Sequence, residues 1–282
     1  MKIVTAVVNN PDFIEIQYHT LKKFFKGPYE FIVFNDAKDF PDFTNDGDIT
    51  IKSNIENICK SLDIQCINIP NEHHKTNMIA SIRTADSMNF ILNYQIQNPD
   101  KYLLLDSDMF LIDYFDIDKY STYECAIALQ SRNNHTINYI WNGIYYFDFT
   151  KLKNTHLLNW NICSHCDTGG MMKEWLANQI NGANLPTVEE IRWSKKTFCT
   201  ENTYFFKQLW SCSWDTSELP IQLNNTAIID FLTNDVRNKN GKFFCEIYDE
   251  VFLHYRAGGN WNGEGMHIHK QLSQLLKNIL LK

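Results

Sequence analysis

The chain has 282 residues and a formal net charge of −7, from 26 Lys and Arg against 33 Asp and Glu. A hydrophobic share of 44% is enough for a sizeable core, which argues against a mainly disordered protein. The acidic balance, without a dense basic block, argues against non-specific binding to nucleic acid. A local site could still bind a phosphate-bearing small molecule.

The N-terminal segment and the cysteines bear on the compartment. Residues 1–13 hold a short apolar run cut by Asn-Asn-Pro, which favours a first strand over a signal peptide. No apolar stretch of the sequence approaches the ~20 residues of a membrane span. We therefore expect a soluble, cytoplasmic protein of microbial or large-virus origin whose eight cysteines remain thiols.

The first part of the chain alternates predicted strands and helices. Strands are predicted at Lys2–Val8, Glu30–Asn35, Ile64–Pro70 and Tyr102–Leu105, and helices at Pro11–Phe25, at Ser53–Asp63 with Ser53 as cap, and from Thr76 onward with Met78 on its apolar face. This alternation, in units of roughly 30 residues, predicts an α/β fold. Its central sheet should be mainly parallel and flanked by helices.

Beyond Ile112 the pattern changes to shorter and more aromatic strands. Strand-like segments are predicted at 124–130, 139–149 and 243–255, a helix after Gly170, and a C-terminal amphipathic helix carrying Leu272, Leu275, Leu276, Ile279 and Leu280. His267 and His269 near that helix are predicted to lie at the surface. The sequence shows no repeat or linker, so we expect a single composite domain over residues 1–282.

The segment Tyr102–Ile112 places Asp106 and Asp108 inside an apolar run at the predicted end of a strand. Residues two apart on a strand project to the same side, so the two carboxylates can converge. They would repel each other unless a divalent cation lay between them, and Mg²⁺ or Mn²⁺ would then bind phosphate oxygens as well. The alternative is that the pair simply caps a turn, but its apolar neighbours make desolvation costly without a partner.

A hydrophobic strand that ends in Asp-Ser-Asp after an α/β half resembles the GT-A (Rossmann-like) glycosyltransferases. Trp141–Asp148 is similar to the Asn-x-Gly strand that follows the D-x-D motif in glycogenin-like families. Phe252–Gly259 resembles their C-terminal strand with its metal-binding His and glycine loop. The chain departs from glycogenin in lacking its Lys-Pro-Trp ending, where Asn260, Trp261 and Asn262 stand instead.

The resemblance implies a metal-dependent enzyme that moves a sugar from a nucleotide-diphospho-sugar donor to a hydroxyl of a glycan, protein or lipid-linked acceptor. It makes residues 1–112 the half that binds the nucleotide-sugar. Residues 113–282 become the half that binds the acceptor and carries the loop with the metal-binding His and the final helix. The donor would be UDP- or GDP-linked.

Carried over residue by residue, the resemblance makes Asp106, Asp108 and His254 the ligands of Mn²⁺ or Mg²⁺, and the imidazole favours Mn²⁺. Arg256 or Lys270 would add positive charge beside the diphosphate, and Arg83 would face the sugar nucleotide. For Arg83 a solvated or intrahelical ion pair is the alternative. The remaining implied donor-binding residues are Val8, Asn35, Asp36, Ser107, Gly143 and Gly258.

Asp167 and Asn142 are the predicted catalytic residues. Asp167 precedes a Gly pair at a predicted helix start, where a carboxylate can contact sugar hydroxyls or act as a general base. An ordinary N-cap is the alternative. If transfer inverts the anomeric centre, Asp167 would be the base; if it retains, Asp167 and Asn142 would position the donor sugar. The sequence leaves this choice, the acceptor and the oligomeric state open.

Two other functions remain as alternatives. A haloacid-dehalogenase-type phosphatase also uses a D-x-D at the end of a strand, with the first Asp as nucleophile. That family places its motif on an early strand, unlike this chain. The other alternative is a nucleotide-sugar-binding module without turnover.

Overall fold

The computed structural model describes residues 1–132, 137–180, 185–192, 197–220, 223–261 and 265–282. Its first part contains β1 (Lys2–Val7), α1 (Asp12–Phe24), β2 (Phe25–Lys26), β3 (Glu30–Asn35), α2 (Ile51–Ser61), β4 (Gln65–Asn68), α3 (Ala80–Gln97) and β5 (Lys101–Leu105). The predicted alternation of strands and helices is confirmed here.

The second part contains shorter elements. They are β6 (Met109–Leu111), β7 (Phe115–Asp116), α4 (Asp118–Ser121), β8 (Cys125–Arg132), β9 (Ile137–Asp148), α5 (Met172–Ile180), α6 (Val188–Ile191), β10 (Phe198–Cys199), β11 (Thr203–Phe205), β12 (Gln208–Leu209), α7 (Thr226–Asn234), β13 (Glu246–Tyr248), β14 (Phe252–His254) and α8 (Met266–Leu280). In the described ranges, none of the helices combines the length and apolarity needed to cross a bilayer.

The largest sheet has eight strands in the order β10-β11-β8-β9-β5-β1-β3-β4. The run β5-β1-β3-β4 is parallel throughout, and β8 pairs parallel with β11. Strand β9 runs antiparallel between β5 and β8, and β10 is an antiparallel edge. The predicted α/β fold with a mainly parallel central sheet is confirmed.

Helices cover both faces of this sheet because alternate strand residues project to opposite sides. Ile3 and Leu103 pack into the cluster that includes the apolar residues of α1 and α2. Val4 and Leu104 pack into the cluster that includes those of α3 and α5. The central strands are therefore buried on both faces, as their continuous apolar sequences predict.

A second sheet, in the order β12-β13-β14-β6, joins distant parts of the chain. In its register Met109 lies opposite His254, and His254 lies opposite Glu246 on the other side. The turn after β5 is thereby held next to a strand near the C-terminus. This antiparallel pairing positions the candidate site.

The helix predicted to begin at Thr76 begins instead at Ala80. Residues Glu72–Lys75 form a separate turn of 3₁₀ helix, and the Asn77 side chain accepts a hydrogen bond from the Ile79 N–H at 3.0 Å. Met78, which is predicted to lie on the apolar face of this helix, is 62% exposed. The prediction for this turn is wrong because the short Asn side chain competes for the backbone hydrogen bonds of a helix.

Two further local predictions are wrong. Helix α2 begins at Ile51, so Ser53 lies inside it and its hydroxyl donates to the Thr50 carbonyl at 2.8 Å. His269 is fully buried rather than at the surface, within hydrogen-bond distance of the Tyr255 hydroxyl at 3.1 Å. Helix α8 packs against α1 and α7, which turns this residue inward.

Candidate functional site

A cleft of about 950 Å³ opens at the carboxyl ends of the parallel strands. Val8 follows β1, Asp36 follows β3 and Asp106 follows β5, and all three line the cleft. Residues from β9, β12, β13 and β14 line the other side. Open α/β sheets bind ligands at this edge, so the position alone marks a candidate binding site.

Asp106 and Asp108 lie in the tight turn between β5 and β6. The Asp106 N–H donates to the Gly143 carbonyl at 2.7 Å, and the Met109 N–H closes the turn on the Asp106 carbonyl at 3.0 Å. The Gln17 side chain, reaching from α1, donates to the Asp106 carbonyl at 2.7 Å. The backbone that carries both carboxylates is therefore held from two sides.

The predicted ligands Asp106, Asp108 and His254 are brought together. The His254 Nε2 atom lies 3.1 Å from Asp108 Oδ1 and 3.9 Å from Asp106 Oδ2. One potential ligand atom from each residue lies within 4.8 Å of the other two. The Asp106 side chain keeps 38% exposure, so the group opens onto the cleft.

The residues fit a divalent cation. Asp108 Oδ1 and His254 Nε2 are both buried, and neither has a well-formed hydrogen bond within the described residues. Two ligands at right angles, each about 2.0–2.3 Å from one ion, would lie about 3 Å apart, as these atoms do. Two carboxylates and one imidazole suit Mn²⁺ better than Mg²⁺.

The pKa values of Asp106, Asp108 and His254 in the absence of metal also favour a cation at this position. Desolvation and the neighbouring Asp108 raise the pKa of Asp106 to about 7. Burial opposes the protonation of His254, but the Asp108 and Glu246 carboxylates outweigh it and raise the pKa of His254 to about 10. Burial likewise opposes the ionisation of Asp108, yet the His254 cation holds the pKa of Asp108 below its ordinary value. The group thus stabilises a positive charge at this position.

Glu246 is a site residue that the sequence analysis missed. Its Oε2 lies 2.8 Å from His254 Nδ1 and accepts a hydrogen bond from the Tyr248 hydroxyl at 3.0 Å. Its Oε1 accepts from the Ser211 N–H at 3.0 Å. A carboxylate behind a metal-binding imidazole fixes the tautomer and the ring orientation. The available signal was a Glu inside the apolar run Phe243–Tyr248, eight residues before the His.

Glu246→Gln is expected to weaken Mn²⁺ binding about 10–100-fold, because the amide keeps the shape but removes the charge that orients and polarises His254. Isothermal titration calorimetry with Mn²⁺ measures the change. Glu30→Gln, at the exposed start of β3, is the matched control and should bind as the wild type does. Equal affinities for all three proteins would remove Glu246 from the site.

The loop after His254 closes on the same carboxylate. The Gly258 N–H donates to Asp108 Oδ2 at 2.7 Å. A Cβ at this position would lie 2.5 Å from the Phe13 ring and 2.9 Å from Asp108 Oδ2, so a side chain has no room. Arg256 lines the cleft with 41% of its side chain exposed, and it donates to the Ser211 hydroxyl at 2.7 Å. Its guanidinium can therefore reach an anion in the cleft.

The cleft is lined by four of the residues that the resemblance implies for donor binding, namely Val8, Asp36, Ser107 and Arg83. Arg83 is buried and pairs with both Asp42 oxygens at 3.0 and 2.8 Å, so its ion pair is neither solvated nor intrahelical and that alternative is wrong. Both carboxylate oxygens of Asp36 are used within the protein, by Lys38, Asn71 and Ser87. Buried Lys38 also lines the cleft, and the sequence analysis missed it.

Asn35, Gly143 and Lys270 are not brought into the cleft. Asn35 is buried and binds the Ala37 N–H and the Lys52 carbonyl. Gly143 lies beneath the Trp141 ring, which a Cβ would approach to 2.2 Å. Lys270 is exposed on α8, in a separate cavity beside Trp261, because α8 packs against α1.

The predicted catalytic residues Asp167 and Asn142 line the cleft together with Asp106 and Asp108. Asp167 Oδ1 accepts from the Thr168 N–H at 2.8 Å, and Thr168 donates from its hydroxyl to the Ser81 carbonyl at 2.9 Å. Helix α5 begins only at Met172, so Asp167 is not its N-cap. Among the described residues the Asp167 carboxylate makes no other hydrogen bond, so its second oxygen can face a ligand.

No protein-family model and no curated protein matches the chain. Among solved structures it is similar to an active-site mutant of LgtC, with 14% identity over 54% of this chain and 58% of that one, at a TM-score of 0.37. It is also similar to the galactosyltransferase LgtC in complex with donor and acceptor sugar analogues, with 12% identity, 66% and 67% coverage and a TM-score of 0.37. The chain thus spans little more than half the length of the first structure, and the functional conclusion rests on the residues of its own site.

Proposed function

We propose that the chain is a metal-dependent glycosyltransferase of the GT-A type. It would move a sugar from a nucleotide-diphospho-sugar, UDP- or GDP-linked, to a hydroxyl of a glycan, protein or lipid-linked acceptor. The observation that carries the proposal is the convergence of Asp106, Asp108 and His254 at the carboxyl edge of the sheet. The cleft of about 950 Å³ beside them falls in the range of small-molecule sites.

In this proposal Asp106, Asp108 and His254 hold Mn²⁺ or Mg²⁺. When bound, the ion supplies positive charge that offsets the charge developing on the departing diphosphate. Arg256 adds a second, fixed positive charge from the loop. Asn9 ties that loop to the acidic segment after β3, because its amide donates to the carbonyls of Gly259 and Thr44, each at 2.8 Å. The loop is thus held over the D-x-D turn.

The two parts of the chain take different tasks in this proposal. Residues 1–112 bind the nucleotide-sugar, and residues 113–282 bind the acceptor and supply His254. Asp167 and Asn142 act on the sugar: Asp167 as the base for the acceptor hydroxyl if transfer inverts, or both as positioning residues if it retains. The similarity of Trp141–Asp148 and Phe252–Gly259 to glycogenin-like families supports retention.

The test is donor hydrolysis and transfer with a panel of UDP-, GDP- and dTDP-sugars, with and without Mn²⁺. We expect the nucleoside diphosphate to be released only with metal, and faster with a suitable acceptor. Release of phosphate from simple monoesters would instead support a phosphatase. Metal-dependent binding without any product, across the panel, would support a module without turnover.

A further inference from the structure

A second group of potential metal ligands lies outside the cleft. His73 and His74 belong to the 3₁₀ turn Glu72–Lys75, and Asp86 lies in the second turn of α3. Nε2 of His73 and Nε2 of His74 lie 3.0 and 3.2 Å from the same oxygen, Asp86 Oδ2. Both imidazoles therefore converge on one carboxylate oxygen.

We infer that His73, His74 and Asp86 form a second metal site, of the imidazole-carboxylate type, that binds Zn²⁺. Ligands of a tetrahedral zinc ion at about 2.0–2.2 Å lie about 3.4 Å apart. The three ligand atoms here all lie within 4.8 Å of one another. The ion can therefore be bound after small rotations of the side chains, without movement of the backbone.

The chemistry of the ligands separates this site from the one in the cleft. Two imidazole nitrogens and one carboxylate oxygen suit Zn²⁺, whereas the two carboxylates of the cleft suit Mn²⁺. The His74 side chain is fully buried, and its ring centroid lies 4.4 Å from that of His73. The position of His74 is therefore fixed by packing. His73 is 59% exposed and Asp86 is 37% exposed, which leaves a route for the ion and room for a water as fourth ligand.

Binding at this site would stabilise one wall of the cleft. The Arg83 guanidinium donates to the carbonyls of His74 and Asn77 and pairs with Asp42. Zinc would join the 3₁₀ turn to α3 on the other side of the same segment. The site thus has a structural role. It could not be predicted from the sequence, because the three residues do not form a known spacing.

The test uses Asp108→Asn protein, in which the cleft site is disabled, after treatment with a chelator. Adding Zn²⁺ at about a hundredfold excess over its Kd should raise Tm by about 4–5 °C. The added change His73→Ala should abolish this rise, while the matched change His19→Ala, at an exposed His on α1, should keep it. Co²⁺ as a probe should give the visible absorption of a four-coordinate complex in the Asp108→Asn protein and in the Asp108→Asn, His19→Ala protein. The protein with His73→Ala should not show it.

Two results would overturn the inference. One is an equal Zn²⁺-dependent rise in Tm with and without His73→Ala. The other is no rise and no Co²⁺ absorption in the Asp108→Asn protein. Protein that carries His73→Ala alone, with Asp108 unchanged, should still bind Mn²⁺ in the cleft. Failure of the zinc site is therefore distinguishable from failure of the proposed function.

Discussion

Asp108→Asn is expected to lower kcat/KM for metal-dependent donor turnover by about 10³-fold or more, because a lost ligand removes several kcal/mol of charge stabilisation at the leaving diphosphate. Asp106→Asn should act in the same direction. The fold should survive Asp108→Asn, since the amide oxygen of the new side chain can still accept the hydrogen bond that Gly258 donates at 2.7 Å. Release of nucleoside diphosphate in the presence of Mn²⁺ measures the effect.

The matched control for these two changes is Asp113→Asn. This residue follows β6 closely and does not line the cleft. Within the part of the chain that the structure describes, its carboxylate accepts a hydrogen bond from the neighbouring Tyr114 N–H alone, at 2.7 Å. Its turnover should equal that of the wild type. Unchanged turnover in both Asp106→Asn and Asp108→Asn, with unchanged circular dichroism, would contradict the assignment of the D-x-D pair.

Affinity for Mn²⁺ is expected to rise at least about 100-fold between pH 6 and pH 8. The pKa of His254 is raised to about 10 in the metal-free protein, so metal must displace its proton throughout this range. The pKa of Asp106 is raised to about 7, so below that pH a second proton is displaced. Each displaced proton makes binding about tenfold tighter per pH unit.

Calorimetric titrations at pH 6, 7 and 8, each in two buffers of different ionisation enthalpy, report both the affinity and the protons released. With ordinary pKa values near 3.9 for Asp and 6.5 for His, the same step from pH 6 to 8 would change the affinity only about fourfold. A fourfold change with no proton released at pH 8 would contradict the charge pattern described here. His73→Ala protein should keep the steep dependence.

Without metal, the stability of the fold is expected to fall as the pH rises, whereas the affinity for Mn²⁺ rises. A folded-state pKa of about 10 for His254 lies above its ordinary value of 6.5, so the charged ring stabilises the fold at neutral pH. That contribution decreases as the pH rises through the folded-state value. Metal should therefore protect the fold most at the alkaline end.

Asp106 and Asp108 could be predicted from the sequence because an apolar run is a local signal. Carboxylates at the end of such a strand stand at the edge of the core, where a partner is needed. The role of His254 as a metal ligand could be predicted only from the family resemblance, because no local sequence signal links it to Asp106 and Asp108. Glu246 was missed because its role depends on the register of β13 against β14, which puts it directly opposite His254.

The positions of the residues expected to bind the donor likewise depend on tertiary contacts that the sequence does not reveal. The resemblance implies that Arg83 faces the cleft, but its partner Asp42 lies in a loop whose path no periodicity predicts. The family resemblance alone implies a position for Lys270 near the diphosphate. The packing of α8 on α1 sets its direction, and such helix–helix contacts are tertiary.

The most direct measurement is anomalous diffraction from Mn²⁺ in crystals grown with a nucleotide-sugar. We expect one strong peak in the cleft, about 2.0–2.3 Å from carboxylate oxygens of Asp106 and Asp108 and from Nε2 of His254, with diphosphate oxygens completing the coordination. A peak elsewhere in the cleft, or bound donor with no peak at these three residues, would contradict it.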